Sequence, residues 1–93
     1  MDEAEFEVLA EAALAQAERA LEADGVDVEL KDGGVLEATL EDGAKLIVNR
    51  HRAAREIWVA ARSGGFHFRW DGAAWRDTRG GEELFAALAR LAR

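Results

Sequence analysis

The placement of glycine constrains this chain more than any other feature. None of its nine glycines falls before residue 25 or after residue 81. Between those limits they come at turn spacing: Gly25, Gly33-Gly34, Gly43, Gly64-Gly65, Gly72 and Gly80-Gly81. Glycine weakens helix interiors and supplies the left-handed backbone that tight turns need. The chain therefore reads as a glycine-free segment, a series of short pieces joined by turns, and a second glycine-free segment. Residues 2 to about 23, rich in Ala, Glu and Leu, predict one long helix. Wound at about 100° per residue, Phe6, Leu9, Ala10, Ala13, Leu14, Ala17, Ala20 and Leu21 form a core-facing stripe. Alternation predicts strands over Val26 to Lys31, Val35 to Leu40, Lys45 to Asn49, Glu56 to Ala61 and Phe66 to Trp70, with a short one around Trp75. Leu84, Leu88 and Leu91, with Phe85 beside them, predict a closing helix.

Two helices flanking five or six short strands predict a single α+β domain over residues 1–93. The expected architecture is a two-layer α/β sandwich, with the N- and C-terminal helices on one face of a mostly antiparallel sheet. Two helices cover only one face, so the other is left for solvent or a partner. Ile57, Val59 and Ala61 make the buried side of their strand, which puts Glu56, Trp58 and Ala60 on the free face. Trp58 is expected there as an exposed aromatic, a residue type enriched in binding hot spots. Phe66, Phe68 and Trp70 share a core-facing side and His67 faces away; Trp70 and Trp75 read as structural.

Composition narrows the chemistry. With no cysteine there is no disulfide, thiolate metal site or thiol nucleophile, and with one serine and no tyrosine little is left for nucleophilic catalysis. No apolar run approaches the roughly 18 residues of a membrane span, and Met1-Asp2-Glu3 does not open a secretory signal. The expectation is a cytoplasmic, non-hydrolytic domain. The net charge of −7 is unevenly spread: fourteen acids against Arg19 and Lys31 up to Asp42, then five acids against ten Lys and Arg. An acidic end of this kind repels nucleic acid and attracts cations or basic protein surfaces.

Glu3, Glu7, Glu11, Glu18 and Glu22 line up beside the buried stripe as a ridge, continued by Asp24 and, in this reading, by Asp27 and Glu29 of the first strand. The crowding has a cost. Carboxylates one turn apart repel by roughly 0.2–0.5 kcal/mol per pair, and the helix dipole opposes acids near its C-terminus. A cluster that is relieved when a cation arrives points to cation binding, with a plain solvated helix face as the alternative. Carboxylate oxygens alone select hard ions such as Fe³⁺, Mg²⁺ or Ca²⁺, with low affinity on an open surface. The basic stretch Asn49-Arg50-His51-Arg52-Ala53-Ala54-Arg55 is a candidate dock for an acidic partner, or a solvated turn.

Val48-Asn49-Arg50, Ile57-Trp58-Val59-Ala60, Gly64-Gly65-Phe66-His67-Phe68 and Trp75-Arg76-Asp77, in that order, resemble the successive sheet motifs of bacterial frataxins, the CyaY family. Glu5-Phe6, the acidic first helix, Gly34-Val35-Leu36 and the Leu-rich last helix extend the resemblance over essentially the whole chain. It implies a frataxin-like sandwich, and weak surface binding of Fe²⁺ or Fe³⁺ in iron–sulfur cluster assembly. The implied partners are the cysteine desulfurase and the iron–sulfur scaffold protein, with no nucleic acid or membrane. The implied role is iron-responsive regulation of the desulfurase, iron donation to the scaffold, or both; a pure docking module with incidental iron is the alternative. A non-enzymatic monomer is expected, with iron-induced oligomers left open, and a ferroxidase role lacks the histidine-assisted di-iron constellation it needs. Carried over by position, the metal ligands are Glu7, Glu11, Glu18, Glu22, Asp24, Asp27 and Glu29. The partner-binding residues are Asn49, Arg50, His51 and Trp58. His51 stands where the family commonly has glutamine, and the proline usual in the next turn is missing. Ala20 and Ala23 interrupt the acidic run. The chain stops soon after the last helix, without the tail that covers the interhelical groove in some relatives, which predicts modest stability.

Overall fold

Asp2 starts the first helix. Its carboxylate accepts the Glu5 N–H at 2.8 Å, and α1 runs Glu3–Ala23 in the computed structural model, which describes residues 1–93. Gly25, at φ +81°, ends it: Gly25 N–H reaches Glu22 O and Val26 N–H reaches Leu21 O, both at 3.0 Å. This is the paired-bond termination that needs a left-handed residue just past the cap. The six strands are β1 (Asp27–Lys31), β2 (Val35–Thr39), β3 (Lys45–His51), β4 (Glu56–Ala61), β5 (Gly64–Trp70) and β6 (Trp75–Asp77), followed by α2 (Leu84–Leu91). They pair antiparallel in sequence order, a single meander. No helix is long and apolar enough to cross a membrane.

Both helices lie on one face, over a core of 17 buried hydrophobic residues. Cross-strand register lines up Leu36, Val48, Val59 and Phe66 on that face, with Ile57 opposite Phe68. From α1 come Phe6, Ala10, Ala13, Leu14, Ala17 and Leu21, the alanines letting the helix lie close to the sheet. Phe6 meets Trp75 edge-on at 6.0 Å. Truncating a fully buried phenylalanine of this kind costs about 3–5 kcal/mol.

Several details differ from the pattern reading. Ala20 is exposed, because with Leu9 it stands at the rim of the apolar arc rather than within it. Leu30 is 59% exposed although in phase with Val28: β1 is an edge strand, and Leu30 sits at the end nearest the β1–β2 turn. Finally, β3 runs on to His51 instead of stopping at Asn49.

Candidate functional site

Two surfaces carry the candidate residues, and the structure sorts them differently from the sequence. On the helix side, the acidic ridge divides. Arg52 Nε donates to Glu7 Oε1 at 2.9 Å and lies 3.5 Å from Glu3, while Arg50 approaches Glu7 at 3.6 Å. The hydrogen bond from Arg52 holds the Glu7 carboxyl below its usual value against some desolvation, with the Arg50 charge adding to the effect. Glu11, Glu18, Glu22, Asp24 and Asp27 make no ion pair. Glu11 and Glu18 line an open groove with Leu14, Leu30, Gly34 and Arg50. Asp24, Asp27 and Glu41 line another at the C-terminal end of α1. Glu41 was not among the residues the sequence singled out. No three carboxylate or imidazole groups converge on one point, so these acids present a distributed field of hard oxygen donors.

The expected extension of the ridge by both strand acids is corrected. Asp27 and Glu29 point to the helix-free face of β1, paired with Thr39 and Glu37 of β2. Asp27 still reaches the groove beside Asp24, but Glu29 is 3.5 Å from Lys31 and is not part of the unpaired group. Arg50 is corrected too. It belongs to β3, where alternation sends it to the face opposite Asn49 and His51. There it bridges toward Glu7 and packs over the β1–β2 turn. Gly34 is at φ +75°, and a Cβ on it would meet the Arg50 guanidinium at 3.0 Å.

On the helix-free face, Asn49, Trp58 and His67 are direct cross-strand neighbours, as are His51, Glu56 and Arg69. His51 and His67 stack on opposite sides of the Trp58 indole, with ring centroids 3.8 and 4.4 Å away and planes within 9° and 8°. Trp58 is thus half-buried rather than freely exposed. The Ala54 N–H donates to His51 Nδ1 at 3.2 Å, and Asn49 Nδ2 donates to the Arg50 carbonyl at 3.3 Å. Glu56, expected as an exposed strand residue, is only 5% exposed. It accepts the Trp58 indole N–H at 2.8 Å and an Arg69 guanidinium N–H at 2.6 Å, and lies 3.6 Å from His67 Nδ1. Burial pushes the Glu56 carboxyl up, but the hydrogen bonds from Trp58 and Arg69 overcome this and hold it below the usual carboxylate range.

The helix pair on a six-stranded meander, the divided ridge and this sheet face can now be set beside known proteins. The family model of the frataxin-like domain matches residues 1–93. The chain belongs to the frataxin family. It is similar to the iron-sulfur cluster assembly protein CyaY of Dechloromonas aromatica, 61% identical over 94 residues, covering 99% of this chain and 90% of that one. It is 52% identical over 94 residues to the protein of the same name from Cupriavidus metallidurans, covering 96% and 85%. The solved structure of frataxin from Psychromonas ingrahamii superposes with a TM-score of 0.86 at 30% identity, over 97% of this chain and 87% of that one. The frataxin fold expected from the motifs is the fold observed.

Within this frataxin frame, sequence reasoning missed Glu56, His67 and Arg69 as parts of the site, and took Arg52 as part of a docking turn rather than as the partner of Glu7. The signal for Glu56 was present, since it lies two residues from Trp58 and shares its face. The signal for His67 and Arg69 was not, because it lives in the register between strands.

Proposed function

We propose that the protein acts in iron–sulfur cluster assembly, as an iron-responsive regulator of the cysteine desulfurase and as an iron donor to the scaffold. Two of its relatives carry cluster assembly in their names. The observation that carries the iron half of the proposal is the unpaired end of the ridge, Glu18, Glu22 and Asp24, where α1 has no basic residue in its last turn. Iron here is cargo. Carboxylates on an open surface hold it weakly and release it readily, which suits a sensor or a donor better than a store. Nothing in this role requires catalysis by the protein itself.

The test is sulfide production by the cognate desulfurase, with iron varied, comparing the native chain with Glu18→Gln/Glu22→Gln. The proposal expects iron to change the effect of the native chain and not that of the variant. Identical iron responses from both would end it. The second reading, a docking module with incidental iron, is favoured by the His51–Trp58–His67 stack, a shaped surface built without help from the ridge. It expects the variant to bind its partners as tightly as the native chain in iron-free buffer.

A further inference from the structure

A buried carboxylate on the face of a sheet that carries no helix needs a reason, because burial of a charge is costly unless it is fully hydrogen-bonded. Two of the groups that meet Glu56 belong to one stack: the Trp58 indole N–H and the His67 ring packed on that indole. One oxygen takes the indole N–H and the other takes Arg69, which is itself 64% exposed at its side chain and gains little from the contact. His67, the ring on one side of the indole, lies 3.6 Å from the same oxygen that holds the indole N–H. His51, the ring on the other side, is fixed by the Ala54 N–H. Both faces and the polar edge of Trp58 are therefore occupied from within the chain.

We propose that Glu56 is a positioning residue, a clamp that holds Trp58 between His51 and His67 as a preformed aromatic plate across β3, β4 and β5. This rests on the reading that the helix-free face docks a cluster-assembly partner. The plate offers that partner a row of ring edges, with Arg69 at its rim, in place of a swinging indole with a free N–H. A partner meeting it gains contact area without paying to immobilise the tryptophan, which for one side chain is worth roughly a two- to tenfold difference in affinity. Recognition by this plate favours a segment with aliphatic surface and a carboxylate or backbone carbonyl set to meet Arg69.

The experiment follows the three tryptophan indole N–H signals by NMR in the native chain, Glu56→Ala and Glu56→Gln. Binding of each to the cognate scaffold protein is measured by calorimetry. Glu56→Ala is expected to move the Trp58 indole signal and speed its exchange with solvent, leaving those of Trp70 and Trp75 in place, and to weaken scaffold binding about tenfold. Glu56→Gln keeps an oxygen for the indole and loses Arg69. It is expected to hold the indole signal near the native position and binding within about threefold. An unmoved Trp58 signal in Glu56→Ala overturns the clamp, and so does native affinity despite a moved signal. If Trp58→Ala binds the scaffold like the native chain, the docking reading of the face fails, and the indole signals still decide whether Glu56 holds the ring.

Discussion

The two halves of the acidic ridge share one helix and nearly the same residue types, yet they are in opposite electrostatic states. Toward the N-terminus, Glu3 and Glu7 are met by Arg50 and Arg52 from the end of β3 and the turn after it. The helix dipole favours acids there as well. Toward the C-terminus, Glu18, Glu22 and Asp24 make no ion pair, the last turn of α1 holds no basic residue, and the dipole opposes acids there. The difference shows that a run of acids in sequence is not yet a binding site. What leaves one half unpaired is that Arg50 and Arg52 are engaged at the other end of the helix.

The largest effect expected is on the unpaired half. Each carboxylate attracts a dication by about 1–2 kcal/mol through water at contact distance. Glu18→Gln/Glu22→Gln/Asp24→Asn should therefore weaken ferrous binding at least about tenfold in anaerobic calorimetry. Glu7→Gln should leave binding within about twofold, since that carboxylate is already engaged; a loss equal to the triple variant's would erase the distinction between the halves.

Removing the arginines should turn one half into the other. In Arg50→Gln/Arg52→Gln, ferrous ion is expected to perturb the backbone NMR signals of Glu3 and Glu7, and in the native chain it is expected to leave them alone. The same variant should melt slightly lower. If iron still bypasses these residues, something other than internal pairing keeps it away.

Acid distinguishes the halves more gently. The folded-state pKa of Glu7 lies below its ordinary value of 4.5, so its contribution to stability is present above that pH and lost as pH falls through the lowered value. The melting temperature of the native chain should converge on that of Glu7→Gln as pH is lowered below about 4.5. A gap that persists unchanged down to pH 2.5 contradicts the assignment.

The smallest effect is the cost of the unpaired end. Glu22→Lys puts a cation in the last turn of α1, where the dipole favours it by about 0.5 kcal/mol. In a domain of this size that raises the melting temperature by about 2–4 °C. A lower melting temperature would mean that Glu22 is not strained in the native chain.

Much of the frame was legible because it rests on local rules. Asp2 as a cap, Gly25 as a stop and glycine at the turns each act within a few residues. Alternation then assigned Ile57, Val59 and Phe68 to the core, where all three are buried. The site was less legible, and Arg50 shows why. The resemblance carries Asn49 and Arg50 over together as partner-binding residues, and a strand ended at Asn49 does not separate them. Two more residues of strand put them on opposite faces, and the same alternation rule would have separated them had the strand been carried to His51. Alternation puts Trp58 on the correct face but says nothing of its cover, which comes from His51 and His67 on the two adjacent strands.

By itself the amino-acid order determined the elements, the sandwich and the charge carried by each segment, since propensity, capping and periodicity act between residues close along the chain. Only the tertiary structure decided which charges are answered. Arg52 reaches Glu7 across 45 positions, and Arg69 reaches Glu56 across 13. Contacts of that span depend on strand register and on where a helix crosses a sheet, and those are fixed by the packing of the whole core.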